Sequence, residues 1–147
     1  MCKIDLWAEG FTPAVMRISL PFEIECTQMY GARFDCGGLF NWSLRIFDSS
    51  QDLIQELRES YAIEAGSEWQ TARNSFTFKE SSAPFIEQMR YLHFIIDGKD
   101  DRFWKGHYGT KFARSAVRIR FNSLRDGGAG DNNMIVSRQG EPGWYPL

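Results

Sequence analysis

The chain has 147 residues, a formal net charge of −2, 43% hydrophobic and 24% charged residues. That length suits one domain with a core that needs no metal or disulfide, and the composition excludes a disordered chain. No run of about 18 apolar residues is present and the first residues lack the apolar stretch of a signal peptide, so the expectation is a cytoplasmic protein with no membrane span. Cys2, Cys26 and Cys36 form an odd, sparse set without a C-x-x-C pair, which reads as reduced thiols and not as a disulfide frame or zinc site.

Along the chain, period-two alternation outweighs helical periodicity. Phe22, Ile24 and Cys26 alternate with Glu23, Glu25 and Thr27, which predicts a strand with the apolar members inward. Asp35-Cys36-Gly37-Gly38 is a turn signal, and Trp42, Leu44 and Ile46 then alternate with Asn41, Ser43 and Arg45. Asn41-Trp42-Ser43 matches a glycosylation sequon by chance inside that strand. Asp52 to Arg58 scores better as a turn and a half of helix than as a strand. After Ala65-Gly66-Ser67, residues 70–78 predict a further strand rich in Thr, Phe and Ser. Tyr91 to Ile96 is a short continuous apolar run, predicting a central strand covered on both faces with His93 as a core histidine. Val117, Ile119 and Phe121 alternate with Arg118, Arg120 and Asn122, the clearest half-buried strand of the chain. Residues 123–147 predict a loose C-terminal tail. Many short strands joined by Gly-rich turns indicate an all-β sandwich or jelly roll.

Charge is distributed unevenly. Residues 99–125 hold 8 basic and 2 acidic groups, whereas residues 1–98 hold 8 basic and 14 acidic groups. A basic segment either recruits anions or offsets an acidic remainder on a solvated face, and the second reading is preferred. Basic residues interleaved with aromatics also suit nucleic acid, but the acidic overall balance and the lack of any nucleic-acid-binding motif argue for no nucleic acid partner. Only His93 and His107 could serve as general bases, and no nucleophile elbow, metal-spaced pair or phosphate loop accompanies them. A non-enzyme without cofactor or metal is expected.

The densest chemistry lies in Asp100 to Lys111, where Phe103, Trp104, His107 and Tyr108 fall between two strong strands. A solvent-facing indole there offers a flat apolar face to the C–H face of a sugar, with Lys and Asp groups to bond its hydroxyls. Alternatively Trp104 and Tyr108 fold inward and plug the end of the sandwich. Asp35 either caps its own turn or accepts a ligand hydrogen bond.

Phe103-Trp104-Lys105-Gly106-His107-Tyr108-Gly109, preceded by Met89-Arg90-Tyr91-Leu92-His93-Phe94 and followed by Ser115 to Ile119, resembles the F-box-associated (FBA) domain family. Tyr30-Gly31-Ala32-Arg33-Phe34-Asp35-Cys36-Gly37 is similar to its arginine-x-aspartate-cysteine-glycine turn, and Asp5-Leu6-Trp7-Ala8-Glu9-Gly10-Phe11 to its N-terminal segment. Trp69 ahead of Phe76-Thr77-Phe78 matches a looser tryptophan-phenylalanine pattern. The resemblance covers about residues 3–122 and three motifs in order.

The resemblance implies an antiparallel jelly-roll β-sandwich of galactose-binding type with about ten strands, over an F-box-associated domain at residues 1–122 that lacks the earliest strands. It implies a lectin-like substrate-recognition domain for SCF-type ubiquitin ligases in endoplasmic-reticulum-associated degradation. The implied partners are N-glycosylated misfolded proteins, through the chitobiose core of high-mannose glycans, and ubiquitin ligase subunits. The family's ligand-binding residues fall on Asp35, Phe103, Trp104 and Lys105: Trp104 stacks on a sugar ring, Phe103 packs beside it, and Asp35 and Lys105 hydrogen-bond the N-acetylglucosamine pair. Position 103 is Phe where sugar binders carry Tyr, and no leucine-rich helical F-box precedes the domain. The alternative is therefore an F-box-less protein-interaction module with a vestigial sugar site. Resemblance, against periodicity, also assigns residues 52–58 to a strand.

Overall fold

A computed structural model describes residues 1–101 and 109–121 of the chain. The expected loose tail at 123–147 lies outside the described residues. Within them, seven antiparallel strands form a β-sandwich: β1 (Cys2–Asp5), β2 (Phe22–Gly31), β3 (Gly38–Phe47), β4 (Leu53–Ile63), β5 (Gln70–Phe78), β6 (Tyr91–Asp100) and β7 (Lys111–Phe121). One sheet has the order β1-β6-β3-β4 and the other β5-β2-β7.

Side chains at successive strand positions point to opposite faces, so each alternating run delivers one row to the space between the sheets. Phe22, Ile24 and Cys26 of β2, Leu44 and Ile46 of β3, and Leu92 of β6 are all at most 1% exposed there. Burying each such large side chain stabilises the fold by about 1.5–3 kcal/mol. The sequon falls on β3, where Trp42 is buried.

Residues 53–63 form a strand, β4, and its register explains the helical look. Phe47 pairs with Leu53 and Ile46 with Gln55, leaving Ile54 as the extra residue of a β-bulge. The bulge places Ile54 and Leu57 against the core at a spacing of three, which imitates helical periodicity.

β6 is central between β1 and β3, as expected, but it is covered on one face only. Leu92 and Phe94 are buried, whereas Tyr91, His93 and Ile95 alternate with them and are half-buried on the outer face. His93 is thus not a core histidine: it packs on Phe47 with ring centroids 4.3 Å apart.

Strand β1 and the short helical segments went unread in the sequence. Helix α1 (Pro13–Ile18) follows Thr12, whose hydroxyl accepts the Val15 N–H, with Pro at the first helical turn. A second, single-turn helix α2 (Ala83–Ile86) precedes β6.

The basic strand β7 has a structural use. Arg118 and Arg120 of β7 and Arg73 of β5 all approach Glu25, a residue on β2 that is 2% exposed. Arg120 Nη2 lies 2.9 Å from Glu25 Oε1 as an ion pair, without the alignment of a hydrogen bond. The carboxylate ties the three strands of its sheet together.

Candidate ligand-binding end of the sandwich

Three connections meet at one end of the sandwich. In the smaller sheet Tyr30 pairs with Gln70 and Gly31 with Lys111. In the larger, Gly38 pairs with both Ile63 and Asp100. The β2–β3 turn (32–37), the β4–β5 turn (64–69) and the β6–β7 connection (101–110) therefore all leave from the same rim.

The β2–β3 turn is built from its own residues. Arg33 and Cys36 form an isolated bridge, and the Gly66 N–H of the β4–β5 turn donates to the Arg33 carbonyl at 2.9 Å. Asp35 is exposed, and Arg33 Nε lies 2.8 Å from its Oδ1. The carboxylate therefore pairs with a guanidinium, which orients it, in place of the expected backbone cap. Phe34 is 78% exposed, with the Arg33 guanidinium 5.5 Å from its ring centre.

The two ends of the β6–β7 connection are held differently, the first against this turn and the second against β6 and β3. Asp101 N–H donates to the Gly37 carbonyl at 3.3 Å, and the Cys36 thiol donates to Asp101 Oδ1 at 3.7 Å. Burial, then the Asp101 carboxylate, pushes the Cys36 thiol above its ordinary value, so it remains a protonated donor. A Cβ at Gly37 would meet the Ile63 carbonyl and Asp101 Oδ2, each at 2.6 Å. At the other end, a Cβ on Gly109 would lie 2.7 Å from the Asp100 nitrogen, and the Thr110 hydroxyl donates to the Leu39 carbonyl at 2.8 Å. Glycine is required at both places because backbone approaches backbone.

Beneath this rim lies an aromatic floor. Tyr30 stacks on Phe40 at 4.7 Å and on Tyr61 at 5.5 Å, and Phe112 tilts against Phe40 at 5.5 Å. The Tyr30 hydroxyl donates to Gln70 Oε1 at 2.9 Å. Burial raises the Tyr30 phenol, and burial with the Glu59 carboxylate raises that of Tyr61 to about 12, so both stay neutral donors.

Of the four sequence-predicted ligand residues, Asp35 is placed on this rim. Phe103, Trp104 and Lys105 lie outside the described residues, which stop at Asp101 and resume at Gly109. Sequence reasoning missed Phe34 as an exposed ring and named Trp69, 50% exposed, only as part of a family pattern. The signal for both was available: each neighbours a turn, where a large aromatic has less sheet to cover it.

Elsewhere the chemistry is sparse. A groove of about 410 Å³ between β4 and β5, lined by Gln55, Leu57 and Phe76 among others, opens at the opposite end. Among the described residues no cluster of His, Cys, Asp or Glu could hold a metal ion.

The family model of the F-box associated region matches residues 2–119. The chain is 26% identical to F-box only protein 44 of Mus musculus over 117 residues, covering 79% of this chain and 44% of that protein. It is 26% identical to F-box only protein 2 of Bos taurus, covering 79% and 38%. It is 28% identical to F-box only protein 27 of Homo sapiens, covering 81% and 42%. The chain thus spans less than half the length of these relatives.

Proposed function

Because the chain belongs to the F-box-associated family, we propose that it is a lectin-like, non-catalytic recognition domain for the chitobiose core of N-linked glycans, serving a ubiquitin ligase that disposes of glycoproteins. The observation that supports this reading is that Asp101, just before the 102–108 segment that holds Phe103, Trp104 and Lys105, is bonded to the turn that presents Asp35, while Gly109 and Thr110 just after it pack on β6 and β3 at the same rim.

The chemistry suits a neutral, hydroxyl-rich ligand. A carboxylate accepts from sugar hydroxyls and acetamido N–H groups, an ammonium donates to ring and hydroxyl oxygens, and an indole covers the apolar C–H face. Arg33 beside Asp35 fixes the direction of the carboxylate, so its acceptor geometry exists before ligand arrives.

Titrating N,N′-diacetylchitobiose while following tryptophan fluorescence tests the proposal. Saturable binding is expected, with Asp35→Ala and Trp104→Ala each weakening it about tenfold or more, the equivalent of one hydrogen bond to a charged group or one stacked ring. A flat titration at millimolar sugar would remove the glycan reading. Capture of protein partners that survives glycosidase treatment would then favour a protein-interaction module.

A further inference from the structure

The described residues place a second aromatic ring at the same rim, on the side away from the larger sheet. Trp69 ends the β4–β5 turn, and its indole rests on Gly31: a Cβ built there would touch Cδ2 and Cε3 at 3.5 Å, ordinary van der Waals distance. Gly31 thus gives the ring a flat seat, while the residue stays 50% exposed. A large aromatic held rigidly by backbone on one side and open to water on the other buries little of its own surface. Its exposed area is available to a ligand without any side chain having to reorder.

The position of this ring ties it to Asp35. Gly66, three residues before Trp69, donates to the Arg33 carbonyl of the Asp35 turn, and its Cα region packs on Phe34. On β7 the register partner of Gly31 is Lys111, exposed and on the same face as the indole. A flat apolar face flanked by an ammonium is a surface that a pyranose ring fits, with its C–H face down and its hydroxyls at the edge.

We infer that Trp69, with Lys111 beside it, forms an extension subsite that takes a further hexose of an oligosaccharide whose reducing end lies at the Asp35 turn. The inference rests on the glycan reading above and adds the direction in which the ligand runs, across the β4–β5 turn onto the outer face of the smaller sheet. Specificity for glycan length then comes from Trp69.

Isothermal titration of the full chain with N,N′-diacetylchitobiose and with the trimannosyl-chitobiose pentasaccharide tests it. The wild-type chain is expected to bind the pentasaccharide about three- to tenfold more tightly, the gain of one stacked ring. Trp69→Ala collapses that ratio to near one, and Trp69→Phe, which retains a ring on Gly31, keeps part of it. Equal affinity of the wild-type chain for the two sugars, or a ratio untouched by Trp69→Ala in a chain with unchanged thermal melting, would overturn the subsite while leaving chitobiose recognition standing. Absence of binding to either sugar would overturn the glycan reading itself.

Discussion

Gly37 shows how a single residue governs the candidate site. Its α-carbon faces the Ile63 carbonyl of one neighbouring strand and the Asp101 carboxylate at the start of the β6–β7 connection. Any side chain there must push backbone apart. Gly37→Ala is expected to cost about 1–3 kcal/mol, as overpacking does. It also separates the Asp35 turn from Asp101. Urea unfolding reads the first effect and chitobiose titration the second. A variant with wild-type stability and affinity would contradict the close approach. Asp35 itself was legible as a turn carboxylate; its pairing with Arg33 was not, because a two-residue spacing does not say whether side chain or backbone claims the carboxylate.

Single strands show how neighbours set the behaviour of a group. His93 sits mid-way along β6, with Lys3 of β1 and Arg45 of β3 as its register partners on either side. Partial burial, then the positive charges of Lys3 and Arg45, lowers its pKa from the ordinary imidazole value. The folded state therefore resists a proton that the unfolded chain accepts near pH 6.5. Stability is full above that pH and falls as pH drops below it, since the unfolded state then binds more protons. The urea midpoint should decline from pH 7 toward pH 5 in the wild type and decline less in His93→Gln. Identical pH profiles would refute the assignment. The apolar run around His93 suggested burial on both faces, yet only its even-numbered positions, Leu92, Phe94 and Ile96, face the core. A run without polar residues specifies a strand but not the cover over its second face.

Across the whole molecule, Glu59 joins the two sheets. Its Oε2 accepts from Trp42 Nε1 at 3.2 Å and from the Tyr61 hydroxyl, while its Oε1 accepts from Asn74 Nδ2 at 2.8 Å on the opposite sheet. Glu59→Ala strands a buried indole N–H and an amide, and each unsatisfied group costs about 1–3 kcal/mol. Thermal unfolding should shift down cooperatively, whereas Glu56→Ala, which breaks an exposed pair with Arg45, should cost no more than about 1 kcal/mol. Comparable losses in the two variants would show that Glu59 is only another surface charge. Nothing in the sequence marks Glu59 apart from Glu56, because both lie on the same charged stretch and differ only in what the fold brings to them.

The sequence by itself determined the all-β class, most of the strands, their inward rows and the order of motifs that marks the family. Each of these is a local matter, since period-two alternation decides which face of a strand is apolar, and motif residues are contiguous. Tertiary structure alone decided that three connections share one rim, that a bulge at Ile54 disguises a strand as a helix, and that Trp69 lies open on Gly31. The reason is that register couples residues remote in the chain, as the bonds from Tyr30 to Gln70 and from Gln28 to Ala113 do across 40 and 85 positions. Alternation fixes a strand's faces but leaves its neighbours to be chosen by the packing of the whole sandwich.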